Sequence, residues 1–187
     1  MVFPEILFEI MGSKGSAQYG LEAVSQLEHG LQCAALAQEA GSEPALVIAA
    51  LFHDIGHLIA KSDSAVQLKS EDGRHEVLGA AFLGQWFSCD VTGPIRLHVH
   101  AKRYLCLENR DYWNSLSDAS KRSLQKQGGA FKKDEASEFL QRPYARDAIK
   151  LRKWDDRAKV PGRFHPGLDE YFDLVSALIS QKDSPDA

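Results

Sequence analysis

Apolar residues recur at helical spacing along most of the chain. Across residues 20–40, Leu21, Val24, Leu27, Leu31 and Ala34/Ala35 fall three and four apart, which predicts one long helix. Gly41-Ser42 ends it, and Ser42 is a candidate N-cap for the next helix, with Pro44 near its start. That helix runs from Ala45 to about Ile55, with Gly56 near its end. Residues 61–73 are polar and turn-rich, so they predict an exposed loop. Helical spacing returns at 75–87, and Gly93-Pro94 opens another helix through Ile95 and Leu97. Residues 116–127 predict a further helix, broken by Gly128-Gly129, and 134–140 a short one. Pro143 starts a longer helix that carries Arg152 and Asp155. Val160-Pro161-Gly162 breaks the chain before a final amphipathic helix at about 167–180. No segment alternates apolar and polar residues over a strand's length, so the pattern predicts an all-α fold.

The length of 187 residues suits a single domain spanning 1–187 with a sizeable core. A net charge of −4, with Lys and Arg scattered, offers no broad cationic face and argues against nucleic acid as a partner. The longest apolar run, residues 45–52, is far short of the roughly 20 residues a membrane span needs. Cys33, Cys89 and Cys106 form no CxxC motif, and the odd count fits a reducing compartment better than a disulfide framework. Glu5 and Glu9 near the start, with no basic leader, are unlike a signal peptide. These features together predict a cytoplasmic location.

The candidate chemistry lies in Leu51-Phe52-His53-Asp54-Ile55-Gly56-His57, where two polar residues follow a run that should be core. A buried Asp is costly unless it is paired or bound to a metal. Adjacent His and Asp can bind one metal, and the second carboxylate oxygen can serve a neighbouring one. A satisfied buried His–Asp pair is the simpler reading of those two residues alone. His29 lies on the preceding helix, His75 opens the next, His98 lies on the one after, and Asp155 arrives late in Arg152-Lys153-Trp154-Asp155. That combined order is far less probable by chance than any one of its members.

The order His…His-Asp…His…His…Asp resembles that of HD-domain proteins with a dinuclear centre. The chain is most similar to one branch, the HD-domain mixed-valent diiron oxygenases that catabolise organophosphonates. The resemblance is carried by Tyr19-Gly20-Leu21-Glu22, Gln26-Leu27-Glu28-His29, His53-Asp54-Ile55-Gly56-His57, His98-Val99-His100-Ala101-Lys102, Leu116-Ser117-Asp118-Ala119-Ser120 and Arg152-Lys153-Trp154-Asp155. It covers about residues 19–162 and implies a helical bundle around a two-metal site. His29, His53, Asp54 and Asp155 would hold a first iron, His75 and His98 a second, and Asp54 would bridge them. The pair would be Fe(II)/Fe(III), with O2 as co-substrate. Ligand type alone suits iron, manganese or zinc equally.

The resemblance also implies a substrate site. Tyr19 would cover the first iron until substrate arrives, and Glu22 would lie near a substrate nitrogen. His57, Lys102, Ser120 and Arg152 would surround a phosphonate. Without the resemblance, Tyr19 reads as a packing residue, Glu22 as a solvated acid, and Lys102 and Arg152 as surface charges. The substrate would be 1-hydroxy-2-aminoethylphosphonate, giving glycine and phosphate, or its trimethylammonio analogue, giving glycine betaine. An upstream phosphonate hydroxylase would supply the C1 hydroxyl. His100 and His165 read as structural. Two other readings share the ligand pattern: a metal-dependent HD-domain phosphohydrolase of a small phosphorylated metabolite, and a non-catalytic HD-fold sensor. Tyr19, Glu22 and the Lys102, Ser120 and Arg152 set argue against the first; the intact ligand set argues against the second.

Overall fold

The computed structural model describes residues 3–16, 18–19, 22–60 and 74–182. The described residues form α1 (Phe3–Lys14), α2 (Gln26–Glu39), α3 (Pro44–Phe52), α4 (Ile55–Ala60), α5 (His75–Leu83), α6 (Cys89–Glu108), α7 (Arg110–Ser115), α8 (Asp118–Lys126), α9 (Lys133–Leu140), α10 (Ala145–Arg157) and α11 (Phe172–Lys182). A 3-10 turn, Leu168–Tyr171, precedes α11. Among these residues there is no β-strand beyond one isolated bridge between Gln18 and Ser25. The fold is an all-α helical bundle, and no described helix is long and apolar enough to cross a membrane. The polar stretch 61–73, predicted as an exposed loop, lies outside the described residues.

Helix α3 is the central rod. Its residues from Leu46 to Phe52 are all buried, packed by α2 on one side and by α6 and α10 on another. A second, smaller cluster joins Leu97 and Ala101 of α6 to Phe131, Phe139, Ala145 and Ala148. Helix α6 therefore serves three directions. Val91 and Ile95 face the main core, Leu97 and Ala101 the smaller cluster, and His98 and Lys102, one turn apart, the space between.

Several helix boundaries differ from the sequence pattern. The first long helix starts at Gln26, not near residue 20. Ser25 accepts from the Glu28 N–H while the Glu28 carboxylate accepts from the Ser25 N–H, a capping box that starts the helix there. Tyr19 and Glu22 consequently lie on a non-helical strap, in which the Tyr19 N–H donates to the Val24 carbonyl and the Glu22 N–H to the Tyr19 carbonyl. The next helix is capped at Glu43, not Ser42, and ends at Phe52; His53 and Asp54 form a turn before α4. Helix α6 begins at Cys89 behind an Ser88 cap, so Pro94 sits inside it. α1 and α7 add two helices that the apolar spacing did not predict.

Candidate metal centre

The break between α3 and α4 turns His53 and Asp54 toward side chains from α2, α5, α6 and α10. Gly56, two residues on, permits the closest approach. A Cβ there would stand 2.0 Å from the His75 carbonyl oxygen. Only glycine lets the start of α5 come this near, and that approach brings His75 over Asp54.

The six predicted ligands converge on two lobes that share Asp54. Asp54 Oδ2 lies 3.5 Å from His53 Nε2 and 3.9 Å from His29 Nε2. Asp54 Oδ1 lies 3.3 Å from His75 Nε2 and 3.7 Å from His98 Nε2. Asp155 completes the first lobe, with Oδ1 3.5 Å from His29 Nε2 and Oδ2 3.9 Å from His53 Nε2. The two carboxylate oxygens of one aspartate thus face separate histidine pairs.

The histidine tautomers follow from their outer contacts. His29 Nδ1 is 2.8 Å from the Ala158 carbonyl, His53 Nδ1 2.9 Å from that of Ala50, and His98 Nδ1 2.8 Å from that of Ile95. A carbonyl only accepts, so each Nδ1 carries the proton and each Nε2 presents a lone pair inward. His29 and His53 Nε2 then face each other at 3.3 Å, and the Nε2 atoms of His75 and His98 at 3.1 Å. Facing lone pairs repel unless a cation lies between them. Both Asp54 oxygens and Asp155 Oδ1 are buried without a hydrogen-bond partner. Ligand bonds of about 2.0–2.2 Å place donor atoms roughly 3–3.5 Å apart around one ion, close to the separations found here. The donor set therefore fits two metal ions.

Electrostatics fix the charge of both carboxylates and the neutrality of His98. Burial pushes the Asp54 carboxyl up, but His53, His75 and His57 outweigh it and hold it well below the usual carboxylate range. Burial likewise raises Asp155, and Arg152, Lys159 and His29 more than reverse this. Burial and the neighbouring His75 hold His98 well below the ordinary imidazole value, so its ring is neutral. Burial lowers His29, but Cys33 and Asp155 outweigh it and raise the ring well above the ordinary imidazole value; Asp54 likewise outweighs burial and raises His75. These two rings favour the protonated form until a metal ion displaces the proton.

A cavity of ≈ 250 Å³ opens onto the centre. Ten of the twelve predicted site residues line it; His29 and His53 lie beneath. Tyr19 stacks on His29 at 4.0 Å between ring centroids, and His57 stacks on His75 at 4.0 Å. Lys102 is buried and donates to the Ser123 hydroxyl at 2.8 Å. Arg152 is committed more heavily than its spacing suggests: it pairs with Asp155 at 2.7 Å, with Asp156, and with the Tyr112 hydroxyl at 3.1 Å. His100 lies apart, against Phe131, and His165 bonds to the Pro166 carbonyl.

Of the Lys, Arg, Asp and Glu residues among the described lining, one is absent from the predicted set. Lys159 Nζ sits 3.2 Å from the Ser120 hydroxyl, 3.6 Å from Glu22 and 3.7 Å from Asp155. Its spacing carried a signal, since it follows Asp155 by four residues as Lys102 follows His98. It lies past the end of α10, where helical periodicity no longer applies. Gln32 fixes that segment, accepting from the Val160 N–H and donating to the Val160 carbonyl at 2.8 Å.

The HD-domain family matches residues 27–126. The chain is 47% identical over 174 residues to the hydroxymethylphosphonate dioxygenase of Gimesia maris, covering 92% of this chain and 86% of that protein. It is 34% identical over 177 residues to the [1-hydroxy-2-(trimethylamino)ethyl]phosphonate dioxygenase (glycine-betaine-forming) of Leisingera caerulea, covering 95% and 90%. A shared sequence at this level over nearly the whole chain, with the converging histidines and aspartates described above, places the chain in the HD-domain family, on its phosphonate-dioxygenase branch, as an oxygenase.

Proposed function

We propose that the protein cleaves the C–P bond of a small 1-hydroxyalkylphosphonate with O2, giving a carboxylate and phosphate. The observation that carries this reading is the split Asp54 carboxylate, which serves two histidine pairs beneath a cavity that Lys102, Arg152 and Lys159 help to line. The atoms balance: R–CH(OH)–PO3 as the dianion plus O2 gives R–COO⁻ and H2PO4⁻. Carbon is oxidised, and O2 is the oxidant. Hydroxymethylphosphonate, the substrate named for the Gimesia maris relative, would give formate. The aminoethyl and trimethylammonioethyl analogues would give glycine and glycine betaine.

His29, His53, Asp54 and Asp155 would hold one iron, and Asp54, His75 and His98 the other. A mixed-valent Fe(II)/Fe(III) pair, when bound, supplies O2 activation. The chain's own contribution is positioning and charge. Lys102, Ser120 and His57 line the wall where a phosphonate adjoining the first lobe would be received. Burial, Asp54 and Asp155 all push the Tyr19 hydroxyl well above its ordinary value in the metal-free protein. Arg152 holds Asp155 in place and neutralises it. A substrate lacking the C1 hydroxyl has one chelating group fewer, so a separate hydroxylation must precede this reaction.

Metal analysis tests the centre. Protein prepared under reducing, iron-replete conditions should carry close to two iron atoms per chain. Partial oxidation should give a coupled Fe(II)/Fe(III) electron paramagnetic resonance signal. Activation by zinc or manganese alone, without iron, would support the phosphohydrolase reading instead.

A further inference from the structure

Glu22 and Tyr19 are two groups suited to a substrate nitrogen, and both already face a cation of the chain itself; Gln127 Oε1, elsewhere in the lining, is a buried acceptor without a hydrogen-bond partner. Glu22 Oε1 accepts from the Ser117 hydroxyl at 2.6 Å and lies 3.6 Å from Lys159 Nζ. Tyr19 stacks on His29 and has Lys159 Nζ 5.6 Å from its ring centroid. Tyr19 is also the sole Phe, Tyr or Trp among the described residues lining the cavity. A quaternary ammonium needs aromatic faces or an unpaired carboxylate, and a primary ammonium needs acceptors. The Glu22 carboxylate and the Tyr19 face are shared with Lys159.

Lys159 does not stand there by chance of rotamer alone. The Ala158 carbonyl receives the His29 ring N–H, and Val160 is clasped by Gln32 on both of its backbone polar groups. The backbone on either side of Lys159 is therefore tied to α2, and its ammonium has Glu22, Asp155 and Ser120 as partners. A substrate carrying its own ammonium would have to share Glu22 with this one, and like charges at that distance repel. A substrate without a cationic group leaves the pair intact.

We propose that Lys159 is a specificity-determining residue: its ammonium occupies the place of a substrate ammonium, so the site selects 1-hydroxyphosphonates that lack one, hydroxymethylphosphonate foremost. This rests on the C–P cleavage reading above and narrows its substrate. The 47% identity to a hydroxymethylphosphonate enzyme, against 34% to the trimethylamino one, points the same way.

The test compares kcat/KM of the iron-loaded protein for hydroxymethylphosphonate and for (R)-1-hydroxy-2-aminoethylphosphonate. The wild type should favour the first by at least about tenfold, a difference of about 1.4 kcal/mol. Lys159→Met should move that ratio at least about tenfold toward the amine, and adding Glu22→Gln should cancel the gain. Anaerobic binding titrations of the two compounds should show the same shift without turnover. A ratio, unlike an absolute rate, is not moved by a general loss of folded enzyme. A wild-type ratio at or below one overturns the proposal without any variant. An unmoved ratio in a metal-loaded Lys159→Met does the same while leaving C–P cleavage standing. If neither compound releases phosphate, the reaction assignment falls and takes this inference with it.

Discussion

Asp54→Ala is expected to abolish loading of both metal ions and to leave no measurable turnover. One carboxylate serves both lobes: Oδ2 faces His53 and His29, and Oδ1 faces His75 and His98. Removing it leaves two pairs of imidazoles whose inward lone pairs have lost their shared anion. The bridge also fixes the distance between the lobes, so a single remaining ion would have an incomplete set of donors in either. His75→Ala or His98→Ala should instead reduce metal content to about one ion per chain, since only the second lobe loses a donor. Metal analysis alongside circular dichroism separates these cases from unfolding. Two ions per chain in a folded Asp54→Ala protein would show that the carboxylate does not bridge.

The second large effect is on stability. Arg152→Met should destabilise the metal-free fold by about 3–5 kcal/mol, because it strips one cation from two carboxylates in a poorly solvated setting. The Arg152 side chain is 5% exposed and Asp155 2%, so solvent screens their 2.7 Å contact little. Asp156 and the Tyr112 hydroxyl lose the same partner. Chemical denaturation reads the loss, and the first lobe should bind metal more weakly because Asp155 is no longer held. Lys102→Ala, by contrast, should raise KM for the phosphonate with little change in metal content. If Arg152→Met raised only KM and kept wild-type stability, Arg152 would be a direct phosphonate clamp instead of the residue that positions Asp155.

The fold class and the gathering of the six metal-site side chains were legible in the sequence for different reasons. Helical spacing of apolar residues marked most of the described helices, and the HD turn stood out because polar residues interrupt a buried run at His53-Asp54. The start of α2 was misread because Leu21 and Val24 continue the apolar spacing, whereas a local capping box at Ser25 and Glu28 decides where the helix begins. That error mattered for Tyr19 and Glu22. They lie before the helix, and Tyr19 reaches His29 by stacking on its ring. Pro94 misled in the other direction, since the Ser88 cap starts α6 a turn and a half earlier. Lys159 went unseen because it lies beyond a helix end, where sequence spacing no longer fixes direction and tertiary ties to Gln32 and His29 do.

The charge arrangement of the cavity also depends on tertiary structure. Arg152, Lys102 and Lys159 all line it, but Arg152 is held by Asp155, Asp156 and Tyr112, and Lys159 lies nearest to Ser120, Glu22 and Asp155. A sequence can supply the three cations; their partners come from helices far apart in the chain.

The most direct test of C–P cleavage by an oxygenase is the O2 stoichiometry of phosphate release. Iron-loaded protein given hydroxymethylphosphonate should consume one O2 for each phosphate and each formate formed, and should release no phosphate under anaerobic conditions. Phosphate release that persists without O2, or that zinc or manganese supports in place of iron, would contradict the account.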